Sequence, residues 1–145
     1  MKKEHRLEFI AKQTLAAKWV AVMDRERMDR NMLLSDFKTR CIRLGEIHEF
    51  IVCDVPWGKR ESSIDHVYYL GFAEFTTPGV ISLGDLISIP STTFKGYVLG
   101  FDETHMPNHQ NILISTPEPC SGKTLSLEVG AIFTIENDRS FAPWL

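Results

Sequence analysis

The sequence predicts a mainly β fold: a small closed or partly open β-barrel preceded by a short N-terminal helix. Two observations carry this expectation. Short β-branched and aromatic runs follow one another at close spacing, separated by Gly and Pro, as in barrels and sandwiches. A corner also recurs. Leu83-Gly84-Asp85-Leu86-Ile87-Ser88-Ile89 has the form of Leu127-Glu128-Val129-Gly130-Ala131-Ile132-Phe133-Thr134-Ile135: an apolar residue, a Gly turn, then a half-buried strand. Closure would remove exposed strand edges. The 145 residues fit one domain, 1–145, with a helix over about 1–17, the barrel over about 18–136 and an irregular tail over 137–145.

Lys3 to Ala17 reads as a helix because Leu7, Ile10, Ala11 and Leu15 fall near helical spacing, and Ala16 and Ala17 favour helix. Trp19 to Val22 then has strand character; the alternative is one longer helix to about Arg30. Cys41–Leu44 and Ile47–Cys53 are strand-like, and Gly45 between them invites a turn or bulge. Val55–Lys59 is a loop, Val67–Phe75 an aromatic-rich strand, and Thr77-Pro78-Gly79 a turn. Leu83–Ile89 and Phe94–Leu99 follow as strands. Ile112–Ile114, the loop Pro117–Lys123, Leu125–Leu127 and Ala131–Ile135 complete the set.

Composition narrows the class of function. Hydrophobic residues at 43 % and charged residues at 24 % fit a globular protein and exclude global disorder. The net charge of −3 lacks the basic excess that a nucleic-acid partner requires. Basic residues lean towards Lys2 to Arg43, but acidic ones interleave there, as in Asp24-Arg25-Glu26-Arg27, so a solvated face is expected. No apolar run reaches about 18 residues, and no apolar stretch with a small-residue cleavage site follows Met1–Glu8. A cytoplasmic protein without a membrane span is therefore expected. Cys41, Cys53 and Cys120 are an odd set with no C-x-x-C spacing and read as free thiols.

The chemistry concentrates in the polar segment Phe101 to Asn111, between two apolar strands. His105 and His109 would act as acid–base groups or as ligands. Asp102 and Glu103 would be the orienting carboxylates, and Asn108 and Asn111 the positioning groups. His105 and His109 would also be the protein ligands if a divalent metal is the cofactor. Pro107 lies between them and opposes a regular helix, so the pair must converge through a loop. His48, with Glu46 and Glu49, and His66, with Asp65, are further ligand-binding candidates. Glu46 and His48 are two apart on a strand and so share a side. The plainer reading is a structured connection in which Asp102 and Asn108 make turns.

No P-loop, dinucleotide fingerprint or nucleophile elbow is present. Ser121-Gly122-Lys123-Thr124 ends like a phosphate loop, but Pro117 stands where its upstream Gly would be. Tyr68, Tyr69, Phe72 and Phe75 read as core packing rather than as a stacking platform.

A strand rhythm appears between about Val80 and Ile135. Its pieces are Leu83-Gly84, Val98-Leu99-Gly100, Asn111-Ile112-Leu113-Ile114 and Val129-Gly130-Ala131. This pattern is similar to the sorbitol/glucitol-specific IIA component of the sugar phosphotransferase system, and the resemblance implies a small β-barrel. Where that family carries Gly-His before the short strand, this chain carries Gln110-Asn111, so no active residue is carried over. The leading expectation is a protein that binds or processes a small molecule through a His/carboxylate loop site. The alternatives are an accessory module binding a protein partner, with a homodimer compatible, and a phosphocarrier of the IIA kind.

Overall fold

The computed structural model describes residues 9–57, 59 and 61–137. It is built of nine strands: β1 (Leu15–Arg27), β2 (Thr39–Ile42), β3 (Ile47–Cys53), β4 (Val67–Phe75), β5 (Gly79–Ser82), β6 (Leu86–Ser88), β7 (Lys95–Asp102), β8 (Asn111–Ser115) and β9 (Ile132–Glu136). Seven close into a barrel in the order β1-β4-β3-β8-β7-β6-β9, while β2 and β5 form a separate two-stranded ribbon. Neighbours in the barrel are antiparallel except β3 and β8, which run parallel.

Strand alternation sends one set of side chains inward. Trp19 stacks on Phe133 at 4.4 Å, and Phe50 meets both rings edge-on. These rings, with Leu15, Ala17, Leu70, Phe75, Val98, Ile112 and Ile135, fill the lumen. A second core lies on the outer wall, where Ile51, Tyr69, Leu99 and Leu113 are covered by Met32, Trp57 and Ile64 from the connections after β1 and β3. Met32 and Ile64 exchange backbone hydrogen bonds of 2.8 and 2.9 Å, and the Trp57 indole donates to the Val98 carbonyl. This double burial explains why Phe50–Cys53 and Ile112–Ile114 read as continuous apolar runs rather than alternating ones.

The repeated corner is present. Gly84 and Gly130 have φ of +86° and +93°, and Gly45 is a third at +90°. Each stands two residues before a barrel strand and donates its N–H to another strand: Gly45 to Phe75 O, Gly84 to Val98 O and Gly130 to Trp19 O. Glycine takes this left-handed backbone at little cost.

The expected N-terminal helix is overturned. No helix occurs among the described residues; the part of it over 3–8 lies outside them, and Leu15–Ala17 opens β1. The reason is tertiary: Leu15, Ala17 and Trp19 alternate into the lumen, and Ala17 pairs with Phe133 on one side and Phe75 on the other. Ladder pairing and burial outweigh the helix preference of Ala16 and Ala17. Three smaller corrections follow. Gly79–Ser82 is a strand, although the turn was expected to reach Gly79, Leu125–Leu127 is not a strand, and β7 runs on to Asp102. The tail over 138–145 lies outside the described residues. No helix among them is long and apolar enough to cross a membrane.

Gly71 is the tightest backbone approach in the wall. It sits where β4 shifts register against both β1 and β3, with φ +150°, and an added Cβ would lie 2.1 Å from the Ala21 carbonyl oxygen. Gly71→Ala should therefore cost about 3 kcal/mol or more. Urea denaturation checks this, and a variant as stable as the parent would refute the close approach.

Candidate functional site

The site grows from strand register. Asp102 of β7 lies opposite Asn111 of β8, Asn111 opposite Glu49 of β3, and Glu49 opposite Phe72 of β4. Laterally paired residues point to one side of a sheet. Their neighbours Phe101, Ile112, Phe50 and Ala73 fill the lumen, so this row faces outward. It is buried because the connection 103–110 and Arg30 lie over it.

Asp102 is the most heavily engaged member. Its carboxylate accepts from Arg30 at 2.9 Å, from the Asn111 amide at 2.8 Å and from the Thr104 hydroxyl at 2.7 Å. Arg30 and Asp102 form a buried ion pair. Past Asp102 the chain makes one tight turn: Met106 N donates to Glu103 O, and Asn108 N and His109 N both reach His105 O. The turn stacks His105 on His109 at 5.1 Å between ring centres. Spacing by four thus brings the two rings together through a turn around Pro107 rather than through a regular helix.

His109 folds inward, edge-on to Phe72 at 4.9 Å. The Asn108 amide donates to its Nδ1 at 2.8 Å, which leaves the ring hydrogen on Nε2. Nε2 lies 3.3 Å from Glu49 Oε1 but out of line, so the contact is one of proximity and not a hydrogen bond. Nε2 and Asn111 Oδ1 are both buried and neither makes a well-aligned hydrogen bond, although the Asn111 side chain lies near enough to act on the His109 ring as a hydrogen-bond partner. Burial lowers the His109 pKa, and hydrogen bonding with the Asn111 side chain acts the other way. Burial raises the Glu49 pKa, opposed by His105, Arg30 and Arg25. Desolvation disfavours the charged form of each, so their proton affinities move towards one another.

His48 lies on the opposite side of β3 from Glu49, against Phe75. Its Nδ1 accepts the Gln110 backbone N–H at 2.9 Å, and its Nε2 contacts Glu46 Oε1 at 2.6 Å. The ring is therefore neutral, with its hydrogen on Nε2. Burial lowers its pKa, against the upward pull of Glu46. Gln110 in turn holds the end of the turn in place. Its side chain donates to Asp102 O and accepts from Arg40, which also pairs with Glu46.

The structure thus gathers His109, Asp102, Asn108 and Asn111, with His105 on the exposed rim. Glu103 is exposed on the turn. His66 stands apart, 2.6 Å from Glu26 and tilted over Tyr68, while Asp65 bonds the Asn31 N–H instead. Among the described residues no three His, Cys, Asp or Glu side chains converge as metal ligands. Sequence reasoning treated Glu49 only as a neighbour of His48 and missed Arg30, Gln110 and Phe72. A lone carboxylate inside the apolar run Ile47–Cys53 was the available signal for Glu49.

A family model described as a family of unknown function (DUF6917) matches residues 9–136. No curated protein and no solved structure matches the chain.

Two outcomes follow from this geometry. Arg30→Met strands Asp102 as a buried charge and should cost about 3 kcal/mol. Arg30→Met with Asp102→Asn should recover most of it; urea denaturation decides, and no recovery removes the pair's assigned role. The second concerns pH. His48 and His109 have folded pKa values below the ordinary 6.5, so below that value the unfolded chain binds more protons. Their contribution to stability is present at neutral pH and is lost as pH falls through the folded values. His48→Gln should be less stable than the parent by about 1 kcal/mol at neutral pH. The gap should narrow from about pH 7 to about pH 5. A gap that stays constant over that interval would contradict a neutral His48.

Proposed function

The chain belongs to this family of unknown function, and we propose from its own geometry that it binds or processes a small hydroxyl-bearing molecule beside Glu49, His109 and Asn111. One observation carries the reading. A buried ring N–H and a buried amide oxygen, near each other but neither making a well-aligned bond, flank a buried carboxylate on the outer wall of the barrel. Buried polar groups in folded proteins are almost always paired. Leaving one unpaired costs about 1–3 kcal/mol. A ligand hydroxyl answers both atoms at once, accepting from His109 Nε2–H and donating to Asn111 Oδ1.

The same arrangement supports acid–base chemistry. Glu49 holds its proton more tightly than an ordinary carboxyl and His109 less tightly than an ordinary imidazole. The two groups are therefore closer in proton affinity than a free carboxyl and imidazole, so either can take up or return a proton during general acid–base catalysis on a bound molecule. Phe72 supplies an apolar wall, His105 a polar rim, and the Arg30–Asp102 pair neutralises the carboxylate next to Asn111. The phosphocarrier alternative has less support, because Gln110 and Asn111 stand where that family has Gly-His and His109 is enclosed by Asn108, Glu49 and Phe72.

The test is an NMR titration that follows the His109 ring signals while small alcohols, sugars and hydroxy acids are added. At least one compound should give a saturable shift. Asn111→Ala should weaken that compound about tenfold, equivalent to about 1.4 kcal/mol, while the fold is retained. If no compound in a broad panel moves the His109 signals, the binding reading is lost. If one binds and turns over, Glu49→Gln should reduce turnover far more than affinity.

A further inference from the structure

A second feature of the outer wall lies two residues along β3 and β4 from the site. Ile132 of β9 lies opposite Lys18 of β1, Lys18 opposite Glu74 of β4, and Glu74 opposite Ile47 of β3. Their chain neighbours Phe133, Ala17, Trp19, Ala73, Phe75 and His48 are buried, so this row points outward. Ile132 is 54 % exposed and Ile47 45 %. Between them Lys18 and Glu74 approach to 3.8 Å with both side chains partly in water. Leu44 and Val129, at 66 % and 69 % exposed, extend the apolar ends on the corners that lead into β3 and β9. The second core does not cover this stretch of wall.

Read across the four strands, the row runs apolar, positive, negative, apolar. A two-fold axis along the strand direction, midway between β1 and β4, exchanges Lys18 with Glu74 and Ile132 with Ile47. Two copies set face to face about that axis place each Lys18 over the partner's Glu74 and each Ile132 over the partner's Ile47. An axis across the strands would instead set Lys18 against Lys18. A patch that complements its own rotated image is what an isologous contact requires.

We infer that this row is the contact face of a homodimer whose occupant is a second copy of this chain. Adjacent strands lie about 4.8 Å apart, so the four-residue row spans about 14 Å. The wall of a barrel is convex, which holds the contact below the roughly 800 Å² per partner of a standard interface. Association through so small a contact is therefore weak and concentration-dependent.

Sedimentation of the full chain from micromolar to millimolar concentration tests this. The parent should pass from monomer to dimer within that range. Ile47→Lys with Ile132→Lys should raise the dissociation constant by more than about tenfold. Lys18→Glu should do the same, and adding Glu74→Lys to that chain should restore the dimer. Circular dichroism establishes that each variant is folded. A parent that stays monomeric throughout overturns the proposal. So does a dimer indifferent to the isoleucine changes, or a folded double charge exchange that fails to re-associate.

Discussion

The carboxylate of Asp102 is where the outer covering of this barrel is fastened to its wall. Three bonds reach it from three places: Arg30 from the stretch after β1, Thr104 from the turn, and Asn111 from the adjoining strand. Gln110 closes the ring by donating to its main-chain oxygen. A charge buried so deeply is tolerable only with such partners. Having them, it can hold two otherwise irregular segments in a single arrangement. The position of His109 follows, because the turn that carries it is pinned at Asp102 and Thr104 on one side and at Gln110 on the other.

The polar groups form one connected chain through the wall. Arg40 and Glu46 flank His48 near the start of β3, His48 grips Gln110, and Gln110 touches Asp102. Nearly every member spends its hydrogen-bonding capacity on another. The exceptions are the Glu49 carboxylate and the two atoms beside it, His109 Nε2 and Asn111 Oδ1. A donor and an acceptor that lie next to each other without a well-aligned bond are the feature on which the proposed binding role rests.

Much of the wall was legible in the sequence. Ile47–Cys53 and Val67–Phe75 match β3 and β4 to the residue, because both are rich in aromatic and aliphatic residues and bounded by turn residues. The corners at Gly84 and Gly130 were equally plain, since only a small residue suits their backbone. The stretch before Trp19 misled because alanines that favour a helix in isolation are also small enough to line a crowded lumen, and only the distant partners Phe133 and Phe75 decide between the two. In the site, His109, Asp102 and Asn111 could be found because they cluster along the chain. Glu49 and Arg30 could not be joined to them, being about 60 and 70 residues away, Glu49 brought near by register and Arg30 by the path of the chain after β1. His66 shows the converse: an imidazole next to a carboxylate in sequence need not share a site with it.

Directions that alternate around a ring return to their start only when the number of staves is even. This ring has seven, so one seam must join two strands pointing the same way, and that seam is β3 with β8. Glu49 and Asn111 face each other across it. Losing or gaining one stave would allow uniform alternation and erase the seam, and with it the meeting of those two residues. The parity of the barrel and the juxtaposition of Glu49 with Asn111 are thus inherited together.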